Sequence, residues 1–263
     1  MASYSRRIQR PRSWYLEPYI TARDQWNYRG GNPNLKPEYI DAAEIGYQKR
    51  IKKIFISTEV YYRYTHDKVE RIRQAYPQKG PGATLQIPEN VGSDQAFGLE
   101  FMLKMPIKHW WEYNFMVNVY DYRVQGDYTD LFTGVVYNFD NASTNYTLRL
   151  NQTFKVFSHT KFQFNSSYNS KSVTAQGSRT GFFNFSAAIR TDVIENKLAL
   201  NLQARNLFAT ARHEYISYGP NFESRSNFQM AGPVVSFTAT YKLNNYRAKK
   251  KKYSGDSGGG MED

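Results

Sequence analysis

The chain has 263 residues, no cysteine, 22 Tyr, 17 Phe and a formal charge of +12. Without Cys there is no disulfide scaffold, thiolate metal site or Cys nucleophile, and no stretch approaches the ~20 apolar residues that a spanning helix needs. The positive charge is scattered over loops and alternate positions, with one run at Arg247 and Lys249 to Lys252. No recognition helix, zinc spacing or RNA-binding strand signature accompanies it, so nucleic acid is not an expected partner. The segment Met1 to Arg7 lacks the apolar centre of a secretory signal.

The hydrophobic period is two, the period of strands. Residues 3–10 form an odd or partial strand, and a short one follows around Ala43, Ile45 and Tyr47. From Ile54 to Tyr64 one face carries Ile54, Ile56, Thr58, Val60, Tyr62 and Tyr64; the other carries Ser57, Glu59 and Arg63. Phe97, Leu99, Phe101, Leu103 and Met105 oppose Gly98, Glu100 and Lys104. Trp111, Tyr113, Phe115, Val117 and Val119 oppose Glu112, Asn114 and Asn118. Alternation resumes in Tyr146 to Lys155, Phe162 to Asn169, Phe183 to Arg190, Leu198 to Arg205 and Val235 to Leu243.

These strands run to about ten residues, the length of a tilted membrane strand, against ~5–6 for soluble ones. The connections at 49–53, 106–109, 156–159 and 191–196 are short. Those at 65–94, 123–143, 170–179 and 207–233 are longer, and the two kinds alternate. Short inner turns and long outer loops are the habit of outer-membrane barrels. The expected fold is all-β, an antiparallel transmembrane β-barrel of nine or ten strands. The last strand then descends from an outer loop, leaving the C-terminus periplasmic. Trp110 and Trp111 would join a lower aromatic girdle, and Tyr61, Tyr62 and Tyr64 an upper one.

Residues 29–38 read Arg-Gly-Gly-Asn-Pro-Asn-Leu-Lys-Pro-Glu, with Glu44-Ile45-Gly46-Tyr47 beyond. This resembles the GNPxLKPE segment of TonB-dependent receptors. Ser5 to Pro11 is similar to the strand end that precedes that segment in the outer-membrane β-barrel branch of the family. Glu89-Asn90-Val91-Gly92 with Gly98-Leu99-Glu100 after it, Asn206-Leu207-Phe208 and Phe237 to Tyr241 resemble later family elements in the same order. The motif residues Asn32, Pro33, Leu35, Lys36, Pro37 and Glu38 are expected to be structural, because two prolines stiffen the approach to a strand and withhold ladder donors.

The resemblance implies a barrel of about 22 strands around a plug, importing siderophores, glycans or peptides. Residues 1–246 would be its C-terminal part, and 247–263 a basic, Gly-rich, disordered periplasmic tail. The implied partners are outer-membrane lipid, an N-terminal barrel half with its plug, TonB acting through that plug, and a small nutrient ligand. The chain is expected to lack its plug and to be a fragment or the product of a split gene. A small self-closed barrel, acting as a passive channel or surface-binding protein, is the alternative.

No catalytic set, metal spacing or cofactor motif is expected. His66-Asp67 lacks an assignable nucleophile. Charges of the inner face lean basic, with Arg63, Lys104, Arg149, Lys155, Lys161, Arg190 and Arg205 against Glu59, Glu100 and Glu112. The candidates for ligand contact are outer-loop aromatics: Trp26, Tyr28, Tyr128, Phe132, Tyr137, Tyr215, Tyr218 and Phe222.

Overall fold

The computed structural model describes residues 1–220 and 222–243. In chain order the strands are β1 (Ala2–Gln9), β2 (Thr21–Ala22), β3 (Asn27–Arg29), β4 (Glu38–Ile51), β5 (Ile54–His66), β6 (Val69–Ala75), β7 (Thr84–Asn90), β8 (Gly92–Lys108) and β9 (Trp111–Thr129). There follow β10 (Val136–Phe157), β11 (Thr160–Asn169), β12 (Ser172–Thr174), β13 (Gly177–Arg179), β14 (Phe182–Ile194), β15 (Leu198–Arg205), β16 (Arg212–Gly219), β17 (Phe222–Gln229) and β18 (Val234–Tyr241). One helical turn, α1 (Ser13–Leu16), precedes β2. No helix among the described residues is long and apolar enough to cross a membrane. The proposed tail from 247 onward lies outside the described residues.

Ten strands form one antiparallel wall in the order β1-β4-β5-β8-β9-β10-β11-β14-β15-β18. At one end the turns are tight: residues 52–53, 109–110, 158–159 and 195–197. Two of them hold a residue in the left-handed region, Lys52 at φ 53° and Asn196 at φ 58°, which sharp reversals require. At the other end the connections carry two smaller sheets, β2-β3-β7-β6 and β12-β13-β16-β17.

One expected loop is not a loop. By sequence, residues 123–143 form a connection, because alternation there lapses into polar residues. Instead β9 and β10 stay paired from Trp111–Phe154 up to Thr129–Val136. The 22 residues of β10 extend about 70 Å at ~3.3 Å each, far beyond the ~30 Å that an apolar slab demands. The strands continue into water, where alternation no longer has a reason to persist.

Register makes the alternating residues into two continuous faces. Ile45, Val60, Leu99, Val119 and Tyr146 lie in one lateral row. Trp111, Phe154, Phe162, Ile189, Leu202 and Phe237 lie in another. This apolar face is bare: Ile45 is 68 % exposed and Phe237 66 %. Every buried hydrophobic side chain among the described residues sits instead in the layer at the long-connection end, from Leu35 to Ala211. A soluble sandwich would bury its alternating apolar face; here that face has no protein cover.

The apolar band has a sharp upper limit. On the same face Asp121, bonded by Thr144, lies level with Phe97, and above that row come the Arg123–Asp140 pair and Asp41 bonded by Tyr4 and His66. From Trp111 to Asp121 is ten residues, about 25 Å after a ~40° tilt, matching the apolar belt of a membrane barrel. Trp110, Trp111 and Phe154 stack at its lower margin. Tyr62 and Tyr64 lie on the apolar face near the upper margin, but Tyr61 does not. Strand alternation turns it to the polar face, where its hydroxyl donates to Asn118 at 3.0 Å.

Candidate ligand-binding surface

The layer above the wall begins with the segment 29–38. Asn32 donates to the Pro88 carbonyl (3.2 Å) and its side-chain oxygen accepts from the Asn34 amide (3.0 Å). The Asn90 side chain accepts from the Lys36 amide and donates to the Lys36 and Asp67 carbonyls. Leu35 is buried between Pro33 and Pro37 in the chain. Glu38, 3 % exposed, accepts from the Val69 amide (2.7 Å) and from Gln9 (2.6 Å). Lys68 lies 3.4 Å from Glu38 and 3.3 Å from Asp94. Burial pulls the Lys68 pKa down, but Asp94 and Glu38 outweigh it and the net direction is up. These contacts fasten three connections to the wall at one point.

The hairpin β6–β7 folds down on the tip of β9–β10, and one buried face of it does the packing. Ile72 meets Val91, Tyr128 and Ala175, with Tyr137 and Phe139 beside them. Leu85, Tyr76 and Ala83 meet Tyr28, Ile87 and Phe132. Between these two clusters, the buried Gln74 donates to the Thr129 carbonyl and accepts from the Leu131 amide. At the hinge Gly92 faces Gly126, at φ +129° and +155°. A Cβ on Gly126 would lie 1.5 Å from the Val91 oxygen, so only glycine lets the hairpin leave the wall there.

A further bridge reaches the third sheet. Arg73 donates to Asn27 (3.2 Å) and to Ser224 (2.9 Å). Its backbone amide donates to Gln176, and its carbonyl accepts from the same side chain. Burial, then the like charges of Arg23 and Arg71, hold the Arg73 pKa below its usual value.

The eight aromatic candidates divide. Tyr28 packs edge-on against Tyr76, which stacks on Phe132. Tyr128 is buried and tilted against Tyr137. Those four spend much of their surface on the packing of the layer. Trp26, Tyr215 and Tyr218 remain exposed, and Phe222 is partly covered at the start of β17. Tyr128, Tyr137 and Tyr218 converge on a cavity of about 540 Å³, completed by Phe139, Asn138, Asn141, Lys171 and Ser178. Trp26, Tyr28, Phe132, Tyr215 and Phe222 do not line it. Tyr128, Tyr137, Phe139 and Asn141 share the polar face of β9–β10 with Tyr122 and Asn118, so the cavity opens over that face.

Residues 1–241 match the model of the outer membrane protein beta-barrel family. The chain belongs to that family. The bare apolar face is therefore the lipid face of an outer-membrane barrel, and the polar face with Arg63, Lys104, Arg149, Lys161 and Glu100 is its inner face. Among solved structures it resembles the siderophore receptor PirA from Pseudomonas aeruginosa, at 17 % identity and TM-score 0.53, over 80 % of this chain and 36 % of the receptor. It also resembles a mutant of the ferric enterobactin receptor PfeA from Pseudomonas aeruginosa, bound to enterobactin, at 17 % identity and TM-score 0.50, over 80 % and 33 %. A third match is PfeA in complex with BCV-L6, at 16 % identity and TM-score 0.50, over 91 % and 37 %. The chain spans about a third of the length of these receptors. No curated protein matches the sequence.

Within this barrel the sequence reading missed the polar joints. Lys68, Arg73, Gln74 and Gln176 lie in connections that carry no recognisable motif. Their partners are up to 151 residues away, and only the Asn–Gln richness of the loops hinted at them. Of the inner-face charges, Lys155 pairs with Glu112 and Arg190 with Asp192. His66 bonds to Asp41, and no group of three His, Asp or Glu among the described residues is set to hold a metal.

Proposed function

We propose that this chain forms the C-terminal wall and ligand-capturing layer of a TonB-dependent receptor that takes up a small nutrient across the outer membrane. In this reading the long-connection end faces outside and the tight turns face the periplasm. A plug domain, not this stretch of chain, engages TonB and gates passage. The observation that carries the reading is the cavity of about 540 Å³ lined by Tyr128, Tyr137 and Tyr218. It lies above the polar face, where a captured solute would be handed to the lumen. Aromatic walls with a few convergent polar groups are the usual make-up of a small-ligand site. Among the described residues, β1 and β18 each have one neighbour in the wall. Exposed edges are costly in lipid, which favours a larger barrel over a small self-closed one.

The test is binding and uptake by cells carrying the whole gene, with ferric siderophores and oligosaccharides as probes. Tyr218→Ala and Tyr137→Ala should weaken binding of the effective probe at least tenfold while the protein reaches the membrane in normal amount. Unchanged binding in both variants would remove the cavity as the capture site. Unchanged uptake without TonB would remove energised transport. For orientation, a cysteine at Lys53 should resist a membrane-impermeant maleimide in intact cells, and one at Thr133 should react; the reverse pattern overturns the topology.

A further inference from the structure

Where the end of β1, the turn α1 and the start of β6 meet, they enclose a second cavity of about 410 Å³. Its walls carry Arg10, Arg12, Lys68 and Arg71, with Trp14 and Tyr15 beside them. The one carboxylate among its lining residues, Glu38, is already taken by the Val69 amide, Gln9 and Lys68. Lys68 in turn is shared with Asp94. The guanidiniums have no such partner: among the described residues, none of Arg10, Arg12 and Arg71 forms an ion pair. Glu70 precedes Arg71 in the chain, but strand alternation sends it to the opposite face of β6, and the neighbour on Arg71's own face is another cation, Arg73.

Backbone contacts fix these walls. The Asn32 amide donates to the Tyr15 carbonyl at 2.6 Å, and the Tyr15 amide to the Arg12 carbonyl at 2.8 Å. Gly31 lies so close to the same turn that a Cβ would fall 2.3 Å from the Glu17 carbonyl oxygen. The segment 29–38 therefore holds α1, and with it Arg12 and Trp14, against the rim. Gln9 and Glu38 stand opposite each other on the polar face of the wall, in continuity with Tyr61, Arg63 and Asn118. The cavity thus opens to the lumen, on the far side of the wall from lipid.

We propose that this cavity is an oxyanion-binding site at the lumen rim, taking a small solute that carries several carboxylates or a phosphate. Its lining is rich in donors and poor in acceptors. Each guanidinium presents N–H groups and no acceptor, and the Trp14 indole only donates. A neutral sugar brings hydroxyl donors that would find few acceptors here. An oxyanion only accepts, and its paired oxygens fit the guanidinium fork. Like charges gathered around one space repel, and a bound anion offsets that repulsion. The site gives the uptake reading a ligand class; it rests on that reading for the solute's onward passage, while binding itself does not.

The experiment is isothermal titration of the detergent-purified protein from cells carrying the whole gene, with tricarballylate, inorganic phosphate and maltotriose as probes. At least one of the two anions should bind, and the trisaccharide should not. Arg12→Gln and Arg71→Gln should each weaken anion binding about tenfold or more, the loss of a hydrogen bond between charged groups. Tyr137→Ala, in the other cavity, should leave it unchanged. On the native protein the anion should also protect Arg12 and Arg71 from phenylglyoxal, read by peptide mass spectrometry, a measurement that needs no variant. Absence of anion binding by the native protein, undiminished affinity in both arginine variants, or arginine modification indifferent to the anion overturns the proposal. Uptake that proceeds without TonB while anion binding persists would refute the transport reading alone.

Discussion

Replacing Glu38 by Ala should unfasten the external layer without dissolving the wall. Glu38 is almost fully buried and accepts from Val69 at 2.7 Å and Gln9 at 2.6 Å, with Lys68 at 3.4 Å. A buried amide left without its acceptor costs about 1–3 kcal/mol, and hydrogen bonds to a charged group are worth about 1.5–3 kcal/mol. Removing one member of a buried ion pair costs about 3–5 kcal/mol when the other is stranded. Lys68 is not stranded, because Asp94 stays 3.3 Å away, so the lower end applies, about 3 kcal/mol. That is roughly a hundredfold rise in local opening. Hydrogen exchange at the Val69 amide reads it directly, with amides of β11 as the fixed reference. Glu38→Gln keeps an acceptor for Val69 and should lose only about 1 kcal/mol. Exchange at Val69 unaltered in the Ala variant would refute the anchoring role. Equal losses in both variants would show that the ion pair, not the amide bond, carries it.

Other expectations follow from the same geometry. Val117 sits mid-band in the row with Phe101 and Leu148, so Val117→Arg should cost about 2–4 kcal/mol in denaturant unfolding from lipid vesicles. Thr144→Arg, beside Asp121 at the margin, should cost about 0–1 kcal/mol; equal costs would misplace the band. Gly126→Ala forces a Cβ into the Val91 carbonyl, and should destabilise the β9–β10 tip by about 3 kcal/mol. Exchange at Asp127, whose amide donates to Val91, should rise while β14 is unchanged. Gln176→Ala removes both bonds to the Arg73 backbone, worth about 2 kcal/mol together. Protease cleavage within 207–233 should quicken, and an unchanged rate would show that the third sheet is held by other contacts.

How far the sequence speaks depends on which solvent a residue meets. Between Trp111 and Val119 lipid lies on one side and the lumen on the other, so each side chain reports its face and the strand is legible from period alone. The same holds for Ile54 to Tyr64, with the pairing order following from short turns between neighbours. Above Asp121 both sides of the hairpin meet water or other loops. The constraint that wrote the alternation is gone, and residues 123–143 therefore read as a loop although their backbone stays paired. Tyr61 shows the finer limit: composition placed it in the girdle with its neighbours, while strand alternation turns it inward to Asn118.

The segment 29–38 was legible as a unit because prolines and a buried-type Leu leave a fixed pattern, but nothing local named its partners. Asn90, Val69 and Lys68 come from another connection, and their distance in sequence hides them. The aromatic candidates illustrate the same divide. Sequence could say that Tyr28, Tyr128, Phe132 and Tyr137 stand on long connections. Only the tertiary structure decided that all four pack into small cores and that Tyr128 and Tyr137 meet Tyr218 around one cavity. What the sequence determined by itself was the strand period, the sorting of short and long connections, and hence a wall between lipid and lumen. Those features arise from solvent contact residue by residue. The folding of the loops over the mouth, the Arg73 bridge and the Lys68 joint were decided by tertiary packing, because they depend on pairs of residues that only the closed layer brings within reach.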